Sequence, residues 1–267
     1  MNKFDKEVIL DIRDLSVNYN SGGNKIPAVK KVSLSLEKNK MLGIIGETGS
    51  GKSSLIRAVN GLIKHPGTTS FDKLEILSKI GSNNNFDFSK MRGSEIGFIP
   101  QNPFGSLNPV YKIKKQFNFV NKRHQLFGKK EMGSEIIRSL TEVGIADPER
   151  VSNSYSFELS GGMAQRVVIA LSCFAKPKLL FADEPTTGLD VTVERLLLDN
   201  FFTLVNNNDM TLIIVTHDLG IVAQYCDEVV VMFKGSIVER GSIEEIFLNP
   251  QDDYTKKLIE ASSEEIS

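Results

Sequence analysis

The sequence predicts an α/β fold. It would comprise a core of buried strands and helices, an antiparallel β portion at its start, and a helical portion inserted between the two halves of the core. Three observations carry this expectation. Val8, Leu10 and Ile12 alternate with polar neighbours, as do Val32, Leu34 and Leu36, which is the period-2 pattern of half-buried strands. The stretches 41–45, 179–182, 211–215 and 229–233 are instead continuous apolar runs, as expected of strands covered on both faces. Between Asn102 and Cys173 strand signals nearly vanish and helical spacing dominates.

In chain order, the Ser21-Gly22-Gly23-Asn24 cluster marks the turn between the two alternating segments. The run 41–45 ends at Gly46. A glycine-rich loop then leads into a helix expected over 53–63, where Leu55, Ile56, Val59 and Leu62 share one face. Residues 66–92 read as irregular, with Ser82-Asn83-Asn84-Asn85 as an exposed loop. Helices are expected over 112–126, 131–143 and 161–174, then over 191–205 and 219–225 between the later buried strands. Two short elements, 243–248 and 254–261, precede an acidic tail. The expected organisation is a core of residues 1–101 and 174–267, with 102–173 as the helical subdomain.

Composition narrows the function. A chain of 267 residues, 40% of them hydrophobic, can bury a core without staples. Lys plus Arg number 32 against 33 Asp plus Glu, a net charge of -1, so no basic excess exists to drive sequence-independent nucleic-acid binding. Cys173 and Cys226 stand far apart with no close Cys or His partner. That spacing excludes a disulfide framework or zinc ribbon, fits a reducing cytosol, and makes both thiols small core hydrophobes. His65 and His124 have no evident partner, and Lys112, Lys114 and Lys115 read as a solvated face. The N-terminus is charged with no apolar run behind it, so no secretory signal is expected. The longest apolar stretch, around Val167 to Ala175, is too short to span a bilayer. Any membrane involved would belong to a partner.

Two motifs carry chemistry. Gly46-Glu47-Thr48-Gly49-Ser50-Gly51-Lys52-Ser53, followed by Ser54, fits the phosphate-loop pattern between a strand and a helix. Its glycines allow successive N–H groups to aim inward at phosphate oxygens, at the positive end of the following helix. Lys52 would neutralise the β and γ phosphates and the Ser53 hydroxyl would ligate Mg²⁺. The alternative is a glycine-rich turn that binds nothing. The run ending in Asp183-Glu184 delivers an acidic pair at the C-terminal end of an apolar strand, where open α/β sheets bind ligands. Asp183 suits a Mg²⁺ ligand, and Glu184 suits the group that orients and deprotonates an attacking water. Taken alone, Asp-Glu-Pro is also good turn chemistry.

Leu159-Ser160-Gly161-Gly162-Met163 opens a helix and presents free N–H groups to an anion. With it the chain resembles the ATP-binding cassette family, a P-loop NTPase fold with a RecA-like core, an antiparallel β subdomain and an inserted helical subdomain. The resemblance covers nearly the whole chain, with six motifs in order. It implies that Gln101 is the Q-loop glutamine and joins Ser53 and Asp183 at the metal, and that Gly188-Leu189-Asp190 is the D-loop. His217 corresponds to the switch histidine at the γ-phosphate, although a histidine ending a buried strand could also be a satisfied core residue. Tyr19 falls where the family's adenine-stacking aromatic lies, the alternative being simple packing beside the first strand.

The resemblance further implies ATP and Mg²⁺ as cofactors and a head-to-tail pair of cassettes, each phosphate loop facing the partner's Ser160-Gly161-Gly162 segment. A finer likeness is to the peptide and nickel importer branch. It rests on Gln101-Asn102-Pro103-Phe104-Gly105-Ser106-Leu107-Asn108-Pro109, Met163, the run from Asp183 to Thr192, and Tyr254-Thr255-Lys256-Lys257-Leu258. The implied partners are a second, non-identical ATPase subunit, two permease subunits and an extracellular solute-binding protein, with this chain on the cytoplasmic face of the membrane. The chain ends soon after Leu258, without the cysteine-bearing extension of longer peptide-importer members, an expectation that leans towards nickel or metal chelates. The rival reading is a soluble cassette ATPase acting on ribosomes or DNA. Such proteins usually fuse two cassettes or insert a coiled coil, and neither stands between Lys52 and Ser160.

Overall fold

The computed structural model describes residues 7–22, 24–82, 85–188 and 190–264. The chain divides into two compact units, Met1–Lys90 with Thr211–Ser267, and Met91–Met210.

The first unit opens with strands β1 (Val8–Ser21) and β2 (Asn24–Glu37), paired antiparallel with Ser21 opposite Asn24 at the expected turn. Gly23 of that turn lies outside the described residues. The register sets Leu10 against Leu36, Ile12 against Leu34 and Leu15 against Val32, and all six are buried. Each such side chain contributes roughly 1.5–3 kcal/mol when removed from water. Strand β3 (Met41–Ile45) is buried throughout, and helix α1 (Lys52–Val59) follows it. The helix stops short of the expected residue 63. Asn60 closes it, its Nδ2 donating to the Ile56 carbonyl at 2.7 Å, and Gly61 then turns the chain with φ 62°.

Residues 66–92 are not irregular, contrary to the expectation. They contain β4 (Thr68–Ser70), β5 (Lys73–Ile76) and β6 (Lys79–Ser82), which extend the antiparallel sheet to the order β2-β1-β5-β6, with β4 also on β1. Strands this short hold too few residues for a period to show. The β5–β6 turn also places Leu77 and Ser78 at φ 51° and 62°, torsions usually announced by Asn-Gly. Asn83 and Asn84 of the expected exposed loop lie outside the described residues, and Ser82 pairs with Asn85.

The second unit pairs β7 (Ile96–Ile99) parallel with β8 (Leu179–Asp183). Between them run α2 (Pro103–Ser106), α3 (Ile113–His124), α4 (Met132–Glu142), α5 (Pro148–Asn153) and α6 (Gly161–Cys173), and α7 (Val191–Asn207) follows β8. Phe117 of α3 meets Phe174 edge to face at 4.9 Å within this unit's core. Helices α2 and α5 were not expected. Both are opened by an Asx side chain that accepts a backbone N–H, Asn102 from Gly105 and Asp147 from Arg150, with proline in the first turn.

The chain then returns to the first unit through β9 (Thr211–Val215), α8 (Leu219–Tyr225), β10 (Glu228–Phe233), β11 (Ser236–Ser242), α9 (Ile243–Leu248) and α10 (Asp253–Glu264). Strands β9 and β10 flank β3 in parallel, and β11 runs antiparallel to β10. A core of Ile45, Leu219, Val222, Val229, Val231 and Ile246 receives Tyr254, Leu258 and Ile259 of α10. Among the described residues no helix is long and apolar enough to cross a membrane.

Candidate functional site

In the first unit, the loop between β3 and α1 is shaped by glycines that nothing else could replace. Gly46 and Gly51 hold φ 140° and 105°. A Cβ at Gly46 would run into the Met232 carbonyl, and one at Gly51 into the Ala28 carbonyl. Lys52 is buried, and its Nζ donates to the carbonyls of Gly46 at 2.7 Å and Glu47 at 2.9 Å. This fixes the ammonium along the loop rather than out in solvent. Ser53 and Ser54 sit half-buried on the first turn of α1, the positive end of the helix, which favours an anion. The Ser50 Oγ is buried with no hydrogen-bond partner among the described residues.

Tyr19, half-buried in β1, brings its Oη within 3.3 Å of the Ser54 Oγ. Gly67 lies beside its ring, so close that a Cβ there would stand 3.1 Å from Cδ1. The ring is thus carried to the start of α1, a position from which it could stack on a base. Glu47, Thr48 and Gly49 complete the loop, but the Glu47 N–H is committed elsewhere, donating to the Tyr254 hydroxyl oxygen at 2.9 Å. Tyr254 lies 207 positions from the loop, and no pattern along the chain connects the two.

In the second unit, Asp183 ends β8 fully buried. Glu184 leaves the strand at φ 46°, in the left-handed region, a conformation that costs a side-chain-bearing residue about 1 kcal/mol or more. Its Oε2 accepts from Gln101 Nε2 at 2.8 Å and from Thr187 Oγ1 at 2.9 Å. Two donors on one oxygen orient the carboxylate, as a general base requires. Gln101 stands just past β7, 83 positions away in sequence, so the pairing is made by the fold. Thr187 is a further residue of this cluster, missed because a Thr-Thr pair after Asp-Glu-Pro reads as turn chemistry. Within this unit Asp183 and the Gln101 amide oxygen are hard oxygen donors, the kind Mg²⁺ takes alongside water and phosphate.

Ser160 caps α6, its Oγ accepting from Met163 N at 3.4 Å. Ser160 and Gly161 are exposed, and a Cβ at Gly161 would meet nothing within 4 Å, while Gly162 is half-buried. Leu159 and Ala164 are buried on either side, so the Ser-Gly-Gly segment is held firmly but faces outward. Asp190 caps α7 by accepting from Val193 N at 3.0 Å, and Leu189 lies outside the described residues. His217 is exposed on the link from β9 to α8, which rules out the core-histidine alternative. Thr216 and Asp218 brace the link: Asp218 N donates to Thr216 Oγ1, and Asp218 Oδ1 accepts from Gly220 and Ile221.

Lys112, Lys114 and Lys115 are exposed as expected, yet two of them cover aromatic rings, Lys112 over Tyr155 at 5.7 Å and Lys115 over Phe119 at 5.4 Å. Both cysteines are free, and burial pushes each thiol up to about 12. At pH 8 the nucleophilic thiolate is therefore scarce. In a timed thiol titration the native protein is expected to leave the buried Cys173 unmodified and to react only slowly at the half-buried Cys226, while the denatured chain reacts fast at both. Rapid modification of Cys173 in the native protein would contradict its burial.

Residues 29–187 match the sequence model of the ABC transporter family. The oligopeptide transport ATP-binding protein OppD of Lactococcus lactis subsp. cremoris is 39% identical over 263 residues, covering 97% of this chain and 77% of that protein. OppD of Bacillus subtilis is 41% identical over 254 residues (94% and 71%), and the dipeptide transport ATP-binding protein DppD of Escherichia coli 38% over 260 residues (96% and 79%). Among solved structures, CbiO1 from Clostridium perfringens, part of the CbiONQ transporter complex, aligns with TM-score 0.69 at 28% identity, covering 91% of this chain and 92% of that one. The dimeric cassette MJ0796, in a post-hydrolysis state bound to ADP and Pi, aligns with TM-score 0.73 at 24% identity (88% and 98%) and so shares the fold.

Proposed function

Because the chain belongs to the ABC transporter family, we propose that it is the ATP-hydrolysing subunit of an importer, and that the solute is a peptide. The observation that carries the ATPase reading is the loop from Gly46 to Ser54, with glycines forced by neighbouring carbonyls and a buried lysine laid along it. ATP phosphates are held there by backbone N–H groups and Lys52, and Tyr19 stacks on the adenine. Glu184, oriented by Gln101 and Thr187, aligns the attacking water and takes its proton. His217, held outward between β9 and α8, donates to the γ-phosphate. Ser53, Asp183 and Gln101 would be the residues to hold Mg²⁺, which would supply positive charge against the phosphates.

The names of the relatives, oligopeptide and dipeptide transport proteins, support peptides over nickel or metal chelates and transport over work on ribosomes or DNA. We assign the chain to the cytoplasmic face of the membrane, with a second, non-identical ATPase, two permeases and an extracellular binding protein. The outward-facing Ser160-Gly161 segment supports a partner cassette whose phosphate loop it completes. Exposed apolar groups in the second unit support a permease contact. Phe119 meets Tyr111 at 5.1 Å, Phe157 stacks on Tyr155 at 5.4 Å, and Phe119, Phe157, Tyr111 and Val110 are exposed apolar groups of the kind that mark contact surfaces when they cluster.

Lys52→Ala is expected to weaken ATP binding about 10- to 100-fold, the loss of charge-assisted bonds to phosphate. Equilibrium binding of ATP decides it, and unchanged affinity would remove the loop from the site. Reconstituted with its partners, the chain should drive ATP-dependent uptake of a labelled dipeptide. Uptake of nickel chelate without peptide would overturn the solute assignment.

A further inference from the structure

We propose that Tyr254 is a positioning residue of the phosphate loop, its hydroxyl pinning the loop's leading edge so that the phosphate-binding amides begin at Thr48. The inference rests on reading that loop as the ATP cradle. The Tyr254 hydroxyl oxygen accepts the Glu47 N–H at 2.9 Å, across 207 positions of sequence. The ring that carries this hydroxyl is itself held, stacked on Phe233 with centroids 4.2 Å apart and packed on the core that contains Ile45, the last residue of β3.

Phe233 ends β10, and the turn after it reaches the same loop from another side. Gly235 N donates to the Ser50 carbonyl at 2.9 Å, and the Gly235 carbonyl accepts from Lys30 N at 2.7 Å. The loop is therefore fixed at Glu47 by the first turn of α10 and at Ser50 by the β10–β11 turn. Phe233 and Tyr254 join those two anchors into one stack. Lys52 closes the arrangement by holding the Gly46 and Glu47 carbonyls. With its N–H given to Tyr254 and its carbonyl to Lys52, Glu47 turns its backbone to the protein instead of to phosphate. Burial pushes the Tyr254 phenol above its ordinary value, so it stays neutral over the working pH range.

Preorganisation of this kind acts on binding more than on the chemical step, because a loop already set in place loses less freedom when it closes on a ligand. Tyr254→Phe deletes one hydrogen bond and keeps the ring. It is expected to weaken binding of a fluorescent ATP analogue about 3- to 10-fold, the scale of one such bond. The KM for ATP, measured with the partner subunit, should rise in proportion while kcat stays within about twofold. Hydrogen exchange at the Glu47 amide should accelerate, with the melting temperature nearly unchanged. A purely packing role would lower the melting temperature and leave the KM where it is.

Phe233→Leu removes the ring behind Tyr254 but spares the hydroxyl, and should shift affinity in the same direction by a smaller factor. It carries the test if the phenylalanine variant does not fold. Wild-type affinity together with wild-type Glu47 exchange in these variants would overturn the proposal. Failure of the wild-type chain to bind nucleotide would instead count against the ATPase reading, and exchange at Glu47 would still decide the clamp.

Discussion

Glu184→Gln is expected to lower ATP hydrolysis by about 10² to 10⁴ fold while ATP still binds. The change removes the only property of the side chain that chemistry needs, its capacity to accept a proton, and preserves nearly everything else. Glutamine has the same length, and its amide oxygen can accept from Thr187 Oγ1 and Gln101 Nε2, which meet Glu184 Oε2 at 2.9 Å and 2.8 Å. The cradle of Lys52 and the loop amides belongs to other residues and keeps its affinity. Steady-state phosphate release with the partner subunit, beside equilibrium ATP binding, is the measurement. Near-normal turnover would move the base to another residue.

Ser160→Arg is expected to block hydrolysis at the partner cassette's phosphate loop and not at this chain's own. The substitution removes the cap on Met163 N, a loss of about 0.5–2 kcal/mol. It also puts a long cation where Ser160 and Gly161 now face solvent. If those groups complete the other cassette's ATP site, the rate there falls by about 10² fold, the usual effect of losing a preorganised donor to developing charge. Mixed pairs with one altered subunit separate the two sites. An effect confined to the altered chain's own loop would contradict the paired arrangement.

The parts of this site that sequence made legible are those whose chemistry is local. Gly46, Gly51 and Lys52 announce a phosphate loop because its torsions and charge are set within a few residues. The runs now seen as β3, β8 and β9 were readable because every residue in them is buried. The hairpin of β5 and β6 was not, since four-residue strands give no period and Leu77-Ser78 adopts left-handed torsions without the usual residues. The bonds Gln101–Glu184 and Glu47–Tyr254 span 83 and 207 positions. Each residue alone is an ordinary polar group, and no pattern along the chain couples them. Helices α2 and α5 lie between these cases, for their Asn-Pro and Asp-Pro openings were present but too brief to stand out.

Asp183 and Glu184 are chemically near-identical neighbours, yet one is fully buried and the other partly open to water. The left-handed turn at Glu184 marks that change of environment. The protein thus keeps the carboxylate proposed to activate water in a conformation an unconstrained glutamate avoids, trading a little global stability for an aimed side chain. Glutamine carries the same tension and isolates the chemistry, whereas glycine would release it, so that a gain in thermal resistance and a loss of turnover would arrive together from one substitution.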